Sequence, residues 1–184
     1  MSNYNNKDQI LDVKAEILSW VKLIIFAVLA AVFINNVVLL NAVVPTSSME
    51  NNIMPGDRLF AFRLAYVFTE PKRFDIAVFK FPDNEQIPFV KRIIGLPGET
   101  VDIIDGKVYI NSSEVPLDDS FIKEPQWVTT DMHFDVPEGK YFMMGDNRNN
   151  SLDSRSWDEN YVERDKIVGK VFVRYSPITK MRLF

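Results

Sequence analysis

Thr46, Ser47 and Ser48 stand together in "VVPTSSMENNIMPGD", directly after a long apolar run. A hydroxyl cluster in such a place is either a polar loop leaving a membrane or a nucleophile. A neutral serine hydroxyl attacks poorly and needs a base to take its proton. The chain contains no cysteine and one histidine, His133. Thiolate catalysis, disulfides and cysteine-ligated zinc are therefore excluded. One histidine cannot build a histidine-rich metal site, and no metal or other cofactor is expected. The surroundings of His133, "DMHFDVPEGK", read as a strand edge and a turn. They suit a solvated or locally satisfied histidine better than a triad member.

The remaining bases are carboxylates, which are weakly basic for this purpose, and lysine. A lysine serves only if it is held neutral. Its ordinary pKa of about 10.4 must then fall by roughly 3, a differential of ~4 kcal/mol, which burial among apolar groups can supply. The stretch "IPFVKRIIGLPGE" offers such a setting. In a strand, Lys91 shares a face with Phe89 and Ile93, and Arg92 shares the other with Val90 and Ile94. Periodicity leaves open which cation is buried, and it also allows Lys91 simply to end a strand at the surface. Arginine does not lose its proton in proteins, so only Lys91 can be a base.

A third stretch, "GDNRNNSLDSR", holds Asp146, Arg148, Asp153 and Arg155. Acids and bases this close together are expected to form ion pairs that support a site. The block is not an EF-hand loop, because Arg148 takes the third ligand position and no glycine stands at the sixth. "SFIK", Ser120 to Lys123, matches the S-x-x-K of penicillin-binding proteins only by accident, since S-D-N and K-T-G are absent. The acceptor patterns at Asn111 and Asn149 are short enough to arise by chance.

Between Leu23 and Val44 no charged residue appears. As a helix this run is roughly 33 Å long, enough to cross a bilayer core. A buried soluble helix would show a polar stripe, and a cleaved signal peptide would show a small-x-small site and a shorter, less acidic leader. The expected organisation is a cytoplasmic segment 1–22, a transmembrane anchor 23–44, and an extracytoplasmic domain 45–184. Lys7, Lys14 and Lys22 precede the run and no Lys or Arg follows before Arg58, so the N-terminus is expected inside. The rest of the chain is rich in Val, Ile, Phe and Tyr between Pro and Gly punctuation, notably in 57–68, 74–81, 87–95, 99–115 and 166–177. Asp105-Gly106 predicts a tight hairpin. The fold class is all-β: a mostly antiparallel domain on one N-terminal transmembrane helix. A formal charge of −4 gives no bias towards nucleic acid.

Four blocks, "PTSSM", "FDIAVFKFP", "FVKRIIGLPGE" and "GDNRNNSLDSR", resemble in order those of the bacterial type I signal peptidases of the Ser-Lys kind. The resemblance runs from the anchor nearly to the C-terminus. It implies an all-β catalytic domain outside the cytoplasmic membrane, with Ser48, just before Met49, as nucleophile and Lys91 as general base. The Thr46 hydroxyl and the Ser48 N–H would form the oxyanion hole, and Ser151 would orient the lysine. Val44, Ile53, Phe89 and Val90 would line shallow pockets for small side chains, implying cleavage after Ala-x-Ala. Substrates would be secretory preproteins, bound as an added strand, with the membrane lipid and the export channel nearby. Phe74 stands where many members have glycine in "RGDI", and "SWDENYVERDKIVGK" replaces a "Y/F-G-P-V" stretch. Two other readings are a self-cleaving Ser-Lys repressor-like protein, although no glycine here follows Ala or Cys, and a non-enzymatic tethered β domain that binds exported proteins.

Overall fold

The computed structural model describes residues 4–127 and 130–184, so the expected cytoplasmic segment 1–22 lies partly outside the described residues. The chain divides into two compact units, Met1–Leu39 and Leu40–Phe184. The first is the helix α1, Tyr4–Phe33, followed by a π-helical turn, Ile34–Val38. Residues 13–38 are long and apolar enough to cross a membrane, with a mean hydropathy of 2.6. The apolar run 23–44 is not helical throughout. Asn35 and Asn36, poor helix formers that compete for backbone hydrogen bonds, sit in the π turn where the regular ladder ends. The last part of the run is strand β1, Leu39–Val43. Val44 follows it and is held by backbone bonds to Asp57 and Gly56.

The second unit is built from β2 (Arg58–Phe62), β3 (Ile76–Phe81), β4 (Asn84–Gly95), β5 (Thr100–Ile104), β6 (Lys107–Ile110), β7 (Met132–Asp135), β8 (Lys140–Met144), β9 (Val162–Glu163), β10 (Ile167–Ser176) and β11 (Arg182–Leu183). The large sheet runs β1-β2-β10-β3-β4-β8-β9, with β11 added to β10, and the small sheet runs β6-β5-β7. The strand pairs whose registers are resolved are antiparallel, as the all-β reading expects. The Asp105-Gly106 hairpin forms, with positive φ at both residues. The stretch 57–68 is strand only to Phe62, then turns through a 3₁₀ segment, Arg63–Tyr66. β8, at 140–144, went unread because only five residues separate Gly139 and Gly145.

Three apolar clusters place the chemistry. Val44, Met49, Ile53, Leu59, Ile76 and Val78 pack beneath the turn that carries Ser48. Ala77, Phe79, Ile93, Met143 and Trp157 pack on the Lys91 face of β4, with Phe89 against them. Ile94, Val101, Phe142 and Met144 join the two sheets. Trp157 lies near Phe79, Phe81 and Phe89, with ring centroids 5.8, 5.5 and 6.1 Å away. Trp157 is thus a buried aromatic plug, while Asp158 and Glu159 after it are exposed, and the Asn160 side chain bonds the Ser154 and Trp157 carbonyls.

Candidate active site

β4 delivers two cations to opposite sides of one strand, and both are buried: Lys91 is 4% exposed and Arg92 8%. Lys91 stands opposite Ala77 and Arg92 opposite Ile76 in the β3–β4 register. The chain after β1 turns back through 45–50 and presents Ser48, 6% exposed, to Lys91. The Lys91 Nζ donates to Ser48 Oγ at 2.6 Å. Thr46 Oγ1 lies 3.3 Å from the same oxygen, and the Ser48 N–H donates to no group among the described residues. Burial drives the Lys91 pKa down from 10.5 to about 8. Asp153 and then Asp146 oppose this shift, and Arg155 reinforces it. The amine is also 5.1 Å from the centre of the Phe89 ring. An amine titrating near neutrality, bonded to a buried hydroxyl, has the geometry and proton affinity of a base–nucleophile pair.

Two hollows meet at this pair. One is an apolar groove of about 360 Å³. One wall is residues 40–46, the other 87–91, with Val78 between them and Ser48 and Lys91 at its end. β1 is the terminal strand of its sheet, and β4 acquires its β8 partner only from Arg92 onward. Each wall therefore carries a strand edge without a neighbour. The second hollow continues past the pair between Ser47, Pro55, Asn150 and Leu152. Val44, Phe89 and Val90 line the apolar groove. Ile53 does not: it is fully buried in the cluster under the Ser48 turn, because its side chain points to β2 and β3 rather than to the groove.

The 145–155 block clamps the Ser48 turn from behind. The Asn147 N–H donates to the Ser48 carbonyl at 3.0 Å. Its side chain donates to the Ser47 carbonyl, and the Asn150 amide to Ser47 Oγ. A Cβ at Gly145 would run into Ser151 and the Ser48 carbonyl oxygen, so only glycine allows this approach. The ion pairs expected within the block form only in part. Asp153 takes Arg155 through both oxygens and caps the Gly145 N–H. Asp146 instead holds Arg92 in a two-point contact of 2.8 and 2.6 Å, and Arg148 holds Asp119. Those partners come from other segments, which local spacing could not reveal. Ser151 Oγ is buried with no hydrogen-bond partner and makes no bond to Lys91 in this structure.

Sequence reasoning missed Asn52. Its amide donates to Asp146 Oδ2 at 2.9 Å and to the Phe121 carbonyl at 2.7 Å. The only local signal was its place four residues after Ser48. Ser120 and Lys123 of the accidental S-x-x-K are not brought together: Ser120 bonds Asp118 and Lys123 pairs with Glu50. His133 lies on the small sheet between Asp102 and Asp135 and lines neither hollow. The Asp102 hydrogen bond raises its pKa.

Fold and site define a class: a mostly antiparallel β protein with a buried hydroxyl–amine pair at the end of an apolar groove. The family described as signal peptidase, peptidase S26, matches residues 17–176. Probable signal peptidase I-2 of Synechocystis is 37% identical over 167 residues, 88% of this chain and 74% of that protein. Signal peptidase I T of Bacillus subtilis is 38% identical over 172 residues, 90% and 88% of the two chains. A crystal structure of a signal peptidase I from Enterococcus faecalis is 36% identical, with a TM-score of 0.46, over 55% of this chain and 97% of that one. The chain belongs to the signal peptidase family, peptidase S26, and is a serine peptidase, a hydrolase. The readings as a repressor-like protein and as a non-enzymatic binder thereby lose their ground.

Proposed function

We propose that this protein is a membrane-anchored endopeptidase that removes N-terminal signal peptides from exported preproteins, with Ser48 as nucleophile and Lys91 as general base. The observation that carries this reading is the 2.6 Å contact between Lys91 Nζ and Ser48 Oγ at the end of an apolar groove. Family membership supports the substrate class.

Neutral Lys91 takes the hydroxyl proton as Ser48 Oγ bonds to the scissile carbonyl carbon. The resulting oxyanion receives the Thr46 hydroxyl and the Ser48 N–H. The Lys91 ammonium then gives its proton to the leaving amine as the C–N bond breaks. Water hydrolyses the acyl ester with Lys91 again as base. The signal peptide's last residues bind as a strand between the free edges of β1 and β4. The narrow walls at Val44, Phe89 and Val90 favour small side chains, hence Ala-x-Ala. Ser151 orients Lys91 by turning its unpaired hydroxyl to the amine. The anchor puts the N-terminus in the cytoplasm and the β unit on the outer face of the cytoplasmic membrane, close to the lipid and the export channel.

The test is incubation of the detergent-solubilised protein with a secretory preprotein, followed by N-terminal sequencing of the product. Cleavage after a small-x-small site is expected, and Ser48→Ala and Lys91→Ala should each abolish it without unfolding the protein. Wild-type-like turnover by either variant overturns the assignment.

A further inference from the structure

Three segments bearing the active groups meet behind the hydroxyl–amine pair. The Ser48 turn sends Asn52, β4 sends Arg92, and the 145–155 block sends Asp146, which binds both side chains. Residues 117–127 cross this junction. The Phe121 ring lies 4.2 Å from the Arg92 guanidinium and 5.9 Å from that of Arg148, and 5.5 Å from the Phe74 ring. Its carbonyl accepts from Asn52. On either side, Asp119 pairs with Arg148, the Lys123 N–H donates to the Asp146 carbonyl, and Lys123 Nζ reaches Glu50, two residues from Ser48. The same strap is tied at its far end by the Trp127 N–H to Asn149. None of its residues lines either hollow.

We infer that the 117–127 strap positions the reacting pair, with Phe121 as its central positioning residue. This rests on the Ser48–Lys91 reading. A ring between two guanidiniums is attractive to both, and it packs on the Arg92 guanidinium at the edge of a hollow that Asn52 and Phe74 also line. Arg92 is the strand neighbour of Lys91, so a shift of one moves the other. The strap also ties the Ser48 turn through Glu50 and Asn52. Removing the ring should let β4 and the Ser48 turn separate, lengthening the proton-transfer path while leaving both binding walls intact. As the Ser48 turn draws away from Lys91, water should reach the amine between them and relieve its desolvation. The charged groups that act on Lys91, namely Asp153, Arg155 and Asp146, all belong to the block the strap covers.

The experiment compares Phe121→Ala, Phe121→Leu and Phe121→Tyr in the full-length, detergent-solubilised protein with one preprotein, across pH, alongside Ser48→Ala and Lys91→Ala. For Phe121→Ala, kcat should fall ~10- to 100-fold, the range expected for a small misplacement of reacting groups. KM should change less than about twofold, and the rising limb of the pH–rate profile should move to higher pH. Phe121→Tyr should restore both. Phe121→Leu keeps apolar volume and folding but not the ring, and should show the same two changes to a smaller degree; it carries the test if the alanine variant does not fold. A role in stability alone would lower activity equally at every pH with no displacement of the limb, and that result overturns the inference. So does wild-type kcat in Phe121→Leu. If Ser48→Ala or Lys91→Ala stays active, it is the dyad assignment that fails, whatever the strap variants do.

Discussion

A lysine in water keeps its proton until the pH approaches 10.5, and Lys91 is held at about 8 chiefly by desolvation. The unfolded chain therefore binds one more proton than the folded one between those two values. Stability lost to burying this amine is absent above 10.5, grows as pH falls, and is complete below about 8. The difference corresponds to ~3 kcal/mol at 1.36 kcal/mol per pKa unit. Lys91→Met should accordingly be inactive yet equally or more stable than wild type near pH 7, with the advantage shrinking as pH rises from about 8 and gone above about 10.5. Melting temperatures measured across pH check this, and a clear loss of stability at pH 7 would mark Lys91 as a structural charge. Wild-type activity should rise with pH through about 8. Thr46 Oγ1 lies 3.3 Å from Ser48 Oγ. Thr46→Val keeps the branched shape and should lower kcat by an amount equivalent to ~2.7–4 kcal/mol, with KM little changed. A defect confined to KM would remove Thr46 from the oxyanion hole.

At the scale of elements, the entry to β3 shows how this chain departs from its resemblance. Phe74 occupies φ 71°, the left-handed region, where a side chain costs about 1–2 kcal/mol. Glycine at this position in "RGDI" is the unstrained choice. Phe74 compensates through its ring, which packs on Phe121 at 5.5 Å and against the cluster joining the sheets. The Phe74 N–H donates to the Ile93 carbonyl, and the Phe74 carbonyl accepts from Arg92, so the strain is fixed by two bonds to β4. Both Phe74→Gly and Phe74→Ala lose the ring, but only glycine also loses the strain. Thermal unfolding should therefore rank wild type above Phe74→Gly and Phe74→Gly above Phe74→Ala, the reverse of the usual order of these two residues. If alanine is the milder change, the backbone at 74 is not strained.

For the whole molecule, the question is which side of a membrane the β unit occupies. The helix covering 13–38 is apolar enough to span, and the positive residues before it favour an inside N-terminus. Protease added outside intact spheroplasts should digest the β unit. Full protection of residues after Val44 would show that the orientation is inverted.

Residue type and local period were enough to single out a hydroxyl cluster, a lysine within an apolar strand, an apolar span and an antiparallel β class. Each depends on side-chain chemistry or on neighbours a few positions away. The ends of the span were less legible, because Asn35, Asn36 and the following Leu and Val residues suit a π turn and a strand as well as a helix end. Tertiary structure alone decided that both Lys91 and Arg92 are buried on opposite faces, since the Ser48 turn closes over one and Asp146 with Phe121 over the other. It brought Ser48 to Lys91 across 43 positions and Arg92 to Asp146 across 54. It also moved Ile53 from an expected groove wall into the core, and joined Arg148 to Asp119 instead of to an acid of its own block. The depressed pKa of Lys91 belongs to the same category. Desolvation is a property of everything packed around a group, and most of what surrounds Lys91 lies far away along the chain.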